Sequence, residues 1–197
     1  EGMKLSKYSK AVQKKVLNRL VQFWLEEAMF GSGYFHSDMH QGNFLVKLRS
    51  QFSGDDRELK SILDYGMFGK LSSKDRTNLM GLFLSLKAQN IKALTNISWS
   101  MANKKESQIA KRELFKRLEL KYGPKSSEEI SIEDMLKYFA EIRLELNQNI
   151  LEFLRGAIAL SSQLKAIDSK NTLLTNAVEV AMKHPIQAMR VYDLNDI

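Results

Sequence analysis

The 197-residue chain contains no cysteine, only two prolines and three histidines. The first absence excludes disulfide staples and thiol chemistry and agrees with a reducing compartment. The scarcity of proline leaves long stretches free to be helical. No run approaches the ~18 to 20 apolar residues of a membrane span. The opening Glu1-Gly2-Met3-Lys4 lacks the apolar core of a signal peptide. It also starts on Glu and not Met, which leads us to expect further sequence upstream. Interleaved basic and aromatic readers of nucleic acid are missing, so no nucleic-acid partner is expected. Repeats, low-complexity tracts and a glycine-rich phosphate loop are missing as well.

What is present is a globular composition, with 44% hydrophobic and 27% charged residues. That balance can bury a real core. The length suits one domain, or one large lobe of a bigger enzyme, and we read 1–197 as a single unit. Thirty Lys+Arg against 23 Asp+Glu give a net charge of +7. Such a chain attracts anions, including nucleotides and acidic lipid surfaces. The cations are spread along the sequence, so charge alone names no partner. Lys104-Lys105 and Lys111-Arg112 read first as solvated helix faces.

Apolar residues recur at helical spacing from Ser9 to Phe30 (Val12, Val16, Leu20, Phe23, Trp24, Ala28). Gly31-Ser32-Gly33 closes that run, since glycine takes the left-handed conformation at a helix end. Phe44-Leu45-Val46 and Lys60 to Leu63 read as two short strands. The polar turn Ser53-Gly54-Asp55-Asp56 joins them into a hairpin. From Ser72 onward the pattern is helical. One helix, capped by Ser72 or Ser73, runs through Leu86, and others span 90–102, 106–122, 132–147, 148–166 and 171–183. Ser131 and Asp134 have the spacing of a capping pair. The expected class is therefore mainly α (α+β), a helical array with one small β-hairpin.

Phe35-His36-Ser37-Asp38-Met39-His40-Gln41-Gly42-Asn43, followed by Asp64-Tyr65-Gly66, carries the chemistry. Phosphoryl transfer needs a carboxylate beside the acceptor hydroxyl and magnesium held by hard oxygen ligands. An Asp and an Asn five residues apart on one loop meet both needs, and a second Asp at a neighbouring strand end completes the metal site. Asp38 is the candidate base, with His36 bracing its loop. Asn43 and Asp64 are the candidate magnesium ligands, and Gly66 gives the backbone freedom to turn beside them. The order matches the kinase pattern H-x-D-x-x-x-x-N followed by D-[FY]-G. His36, Asp38 and His40 alternate, so a strand would also line them up for zinc. A zinc site wants three or four ligands, and the remaining histidine, His184, is far along the chain.

The form H-x-D-x-H-x-G-N resembles the UbiB/AarF/ADCK family of atypical kinases, and also aminoglycoside and choline phosphotransferases. Asp64 to Leu71 (DYGMFGKL) is similar to the first family's D-F-G-M-x-G-x-L run. Ser72-Ser73-Lys74-Asp75-Arg76 follows directly, leaving no room for an activation loop. Leu154 to Ala157 and Leu164 to Asp168 resemble that family's late helix pair, and Glu1 to Leu5 its hinge. The resemblance implies the C-terminal lobe of a protein-kinase-like domain, with ATP as nucleotide and Mg2+ as cofactor. It further implies phosphoryl transfer or ATP hydrolysis linked to quinone or lipid metabolism. The setting it implies is membrane-associated, in a bacterium, mitochondrion or plastid, with possible lipid contact. Gln41 stands where the family commonly has proline, and Tyr65 where it has phenylalanine.

The N-terminal lobe that such a kinase needs is absent from this sequence. Its alanine-rich nucleotide loop, Lys–Glu pair and K-x-G-Q segment have no counterpart. The lobe must come from the same protein or another chain, and a non-catalytic binding module is the alternative reading. The 197-residue chain alone should therefore bind magnesium-ATP weakly and turn over negligibly. Micromolar affinity in a calorimetric titration would contradict this.

Overall fold

A computed structural model describes residues 3–48, 58–62, 67–123, 130–168, 171–186 and 188. The architecture is mainly helical. Strand β1 (Met3–Lys4) leads through a 3-10 turn (Leu5–Lys7) into α1 (Lys10–Met29), whose N-cap Ser9 accepts from the Val12 N–H. β2 (Tyr34–His36), a 3-10 turn (Gln41–Asn43) and β3 (Phe44–Leu48) follow, then β4 (Glu58–Ile62) and β5 (Phe68–Lys70). Six helices complete the order: α2 (Ser73–Ala88), α3 (Ile91–Met101), α4 (Lys111–Tyr122), α5 (Ile132–Glu141), α6 (Gln148–Ile167) and α7 (Leu173–Lys183).

The expected hairpin is present as the antiparallel pair β3–β4, from Phe44↔Ile62 to Leu48↔Glu58. Its turn, Ser53 to Asp56, lies outside the described residues, as do Leu63 to Gly66. Two pairings were not expected. β1 adds to β3, and β2 pairs with β5 through Tyr34↔Lys70, Phe35↔Gly69 and His36↔Phe68. Strands of two or three residues are too short for a period-2 signal to emerge. The left-handed glycine after α1 is Gly33 (φ +85), at the entry to β2, and not the residue that ends the helix.

Ser72 and Asp75 form a full capping box on α2, whereas on α5 Ser131 accepts the Asp134 N–H and its hydroxyl donates to Asp134 Oδ2. Two helices are shorter than their apolar spacing predicts. Residues 142–147 alternate, with Ile142, Leu144 and Leu146 buried between exposed Arg143 and Glu145. This is strand spacing, and the segment is bonded to the stretch after α3 through Asn103 N–H to Glu145 O, Gln108 N–H to Arg143 O and a bridge between Ala102 and Leu146. α5 therefore stops at Glu141, and α4 does not begin until Lys111.

One apolar cluster runs from Leu5 to Ala181, with α1 packed on α6 and α7 and α2 on α3. Among the described residues no helix is long and apolar enough to cross a membrane. At the cluster's edge Phe35 lies across the β2–β5 pair, and a Cβ on Gly69 would come within 2.3 Å of its ring. Phe35 is 1% exposed and cannot swing away. Gly69→Ala should therefore cost about 1–3 kcal/mol, measurable as a fall in the denaturation midpoint with an unchanged m-value.

Candidate active-site loop

The loop from His36 to Asn43 sits on a platform of three aromatic rings. Trp24 of α1 stacks on Phe153 of α6 at 4.5 Å, and Phe35 meets Phe153 edge-on at 5.5 Å. Burying one such ring contributes about 1.5–3 kcal/mol. The platform also makes a directional contact, because Trp24 Nε1–H donates to the His36 carbonyl at 3.0 Å. Helix α6 closes against the loop backbone at Gly156. A Cβ there would stand 2.9 Å from the His36 carbonyl oxygen, 3.2 Å from that of Ser37 and 3.1 Å from the Trp24 ring. Two turns further along α6, Gln163 Nε2–H donates to the Met39 carbonyl at 2.5 Å.

Within the loop each polar side chain has a defined task. His36 is buried, and its Nδ1 accepts the Asp38 N–H at 3.0 Å, which puts the ring proton on Nε2. His40 Nδ1 likewise accepts from the Gly42 N–H at 3.0 Å, and its Nε2 lies 3.4 Å from Asp38 Oδ2. Asn43 Nδ2 donates both to Asp38 Oδ2 and to the Asp38 carbonyl, each at 3.0 Å. One oxygen of Asp38 thus takes the Asn43 hydrogen bond and faces the His40 ring nitrogen. Oδ1 takes no hydrogen bond among the described residues, and the side chain remains about a third exposed. Oδ1 is thus the carboxylate oxygen that keeps its lone pairs open.

The same geometry settles which end of the Asn43 amide faces out. Both of its N–H bonds go to Asp38, so Oδ1 is the end left over, and an amide oxygen is the ligand type magnesium takes. Asn43 therefore fits the metal role on its own chemistry. Asp64 and Gly66 lie outside the described residues, but the segment that holds them is anchored on both sides. Ile62 pairs with Phe44, next to Asn43, and the Met67 carbonyl accepts from both the N–H (2.9 Å) and the Oγ–H (3.0 Å) of Ser37. Among the described residues no three His, Cys, Asp or Glu side chains converge on a metal. His36 and His40 each turn Nδ1 onto loop backbone, so the zinc arrangement finds no support.

Beside the loop, α1, β2 and β5 enclose a cleft of about 350 Å³, walled by Leu20, Trp24, Phe35, His36 and Met39. Phe23, Tyr34 and Phe68 at its rim are large apolar groups left exposed. Glu27 also lines it, and hydrogen bonds from Ser32, side chain first and backbone second, hold its carboxyl below the usual carboxylate range. This turn therefore contributes its stability above the ordinary value of 4.5 and loses it as pH falls below that value.

Sequence reasoning brought together His36, Asp38 and Asn43 correctly as one loop. It counted Trp24 and Phe153 only as core and missed Gln163 altogether. A glycine amid the apolar residues of α6 was the available signal for the close approach at Gly156.

The fold and loop together define a mainly helical protein with a His-x-Asp-x-His-x-Gly-Asn loop seated between two small sheets. Residues 1–98 match the family described as the ABC1 atypical kinase-like domain. Over 79 residues the chain is 34% identical to AarF domain-containing kinase 1 of Drosophila melanogaster. That stretch is 40% of this chain and 14% of the relative's length. No solved structure matches the chain. The chain belongs to the ABC1 atypical kinase-like family, the UbiB/AarF/ADCK group that the loop resembles.

The seat of the loop is testable through Gly156. Gly156→Ala should push α6 off the His36 and Ser37 carbonyls, with a cost of about 1–3 kcal/mol. It should also shift the amide resonances of residues 36–40. Unchanged resonances there would show that α6 does not position the loop.

Proposed function

We propose that this chain is the catalytic half of an atypical kinase or ATPase that acts on magnesium-ATP. The observation that carries the reading is the joint arrangement of Asp38 and Asn43. One carboxylate oxygen is fixed by the Asn43 amide, with the His40 ring 3.4 Å away, while the other takes no hydrogen bond among the described residues, and the Asn43 amide oxygen is left over. In the reaction, Asp38 Oδ1 orients the acceptor hydroxyl, or a water, and takes its proton as that oxygen bonds to the γ-phosphorus. The bond from phosphorus to the β–γ bridging oxygen breaks, and ADP leaves. Asn43 and Asp64 would hold Mg2+, which when bound neutralises charge on the transferring phosphoryl group. The anchoring of Ile62 beside Asn43 and of Met67 on Ser37 supports Asp64 as the second ligand.

The nucleotide's second wall and its phosphate-binding lysine come from an N-terminal lobe, in the same protein or another. The exposed aromatic rim of the cleft beside His36 supports such a covering partner, since contiguous apolar surface of this kind marks an interaction site. The same rim favours a second reading, a binding module that docks on a partner without turnover. Family membership supports a link to quinone or lipid metabolism at a membrane, with a lipid surface as a further partner of this basic chain.

In a protein with both lobes, Asp64→Asn should abolish magnesium-dependent nucleotide binding, and Asn43→Ala should weaken it. Unchanged binding in the first variant rejects the metal assignment. Asp38→Asn should leave nucleotide binding in place and lower turnover by about 10²–10⁴-fold. Full activity in Asp38→Asn, or none in the wild-type two-lobe protein, would favour the binding module.

A further inference from the structure

On the far side of α6 a second cavity, of about 270 Å³, opens where the starts of α5 and α7 meet the last turns of α6. That volume is at the small end of ligand sites. Residues Ser131, Ile132 and Glu133 line one side and Thr172, Leu173 and Leu174 the other, so two helix N-termini face one space. A helix start carries unpaired N–H groups and about half a positive charge. Ser131 Oγ and Thr172 Oγ1 each accept one N–H, from Asp134 and Thr175. The N–H groups of Ile132, Glu133, Leu173 and Leu174 have no partner one helical turn back.

A second, independent feature comes from α6. Ser161 is only 5% exposed and lines the cavity, yet its hydroxyl has no hydrogen bond among the described residues. Lys165, one turn further along α6, lines the same space, with Nζ 3.4 Å from Glu133 Oε2. The remaining wall is aliphatic, formed by Ile130, Ile132 and Leu173.

We propose that this cavity binds a small organic carboxylate with an apolar body, its head on Lys165, the Ser161 hydroxyl and the two helix starts. Glu133 already presents a carboxylate to Lys165, so it is an internal competitor for the ligand's head. This makes the site separable from a simple structural ion pair, and from the phosphoryl-transfer reading, which does not involve it.

The test is an amide-resonance titration of the full chain with octanoate, compared with octanol and with acetate. Octanoate should give saturable shifts at Ile132, Glu133, Leu173 and Leu174, while octanol and acetate should bind at least about tenfold more weakly. Glu133→Gln, which keeps the shape of the side chain, should tighten octanoate binding about fivefold, the scale of one partly exposed ion pair. Ser161→Ala should weaken it by a similar factor. The proposal is overturned if neither the wild type nor Glu133→Gln shows saturable shifts at those amides, if octanol binds as well as octanoate, or if Glu133→Gln leaves the affinity unchanged.

Discussion

A glycine inside a helix costs about 1 kcal/mol relative to alanine, and α6 carries one where the helix meets the loop. At Gly156 a Cβ would meet the His36 carbonyl oxygen at 2.9 Å, closer than a methyl group tolerates, and would crowd the Ser37 carbonyl and the Trp24 ring. Backbone carbonyls cannot rotate away as a side chain can. The loop therefore lies directly on the helix, and Trp24 Nε1–H donates to the same His36 carbonyl. This contact and the aromatic platform under it set where the loop sits.

On that seat the loop is held mainly by its own hydrogen bonds. His36 and His40 each use Nδ1 to accept a backbone N–H two residues ahead, which fixes both rings as local braces. Gly42 allows the second brace, because a Cβ there would stand 2.6 Å from the His40 ring. The outcome is electrostatic as well as geometric. Asp38 receives Asn43 Nδ2–H on the oxygen that also faces His40 Nε2, so its other oxygen keeps both direction and lone pairs. Preorganisation of this kind is how a site stabilises developing charge without rearranging when it forms.

Much of this was legible in the sequence, because the determinants are local. Ser9, Ser72 and Ser131 cap the helices their spacing predicts, and β3 and β4 pair as the two short strands read from the sequence. The motif spacing put His36, Asp38 and Asn43 on one loop. What stayed hidden depends on contacts between residues distant in the chain. The β2–β5 pair joins residues more than thirty apart, and Gln163 reaches Met39 across 124. Residues 142–147 failed for another reason, since five residues of alternation were absorbed into a longer helical run. The Asp64 assignment still rests on motif spacing, together with the anchors at Ile62 and Met67.

The division between the two halves of the chain bears on how the family segment works. The match ends at residue 98, yet Phe153, Gly156 and Gln163 all lie beyond it. The motif residues are thus supplied by the matched half, and part of their rigidity by the other. Trp24 and Phe35 would face solvent without Phe153, and the Met39 carbonyl would lose the amide that fixes it. What α6 must supply is also chemically undemanding: a ring of the right size, a residue without a Cβ and one long amide. These three requirements act on the loop through ring faces and backbone carbonyls, which is how a helix far along the chain sets the geometry of the motif.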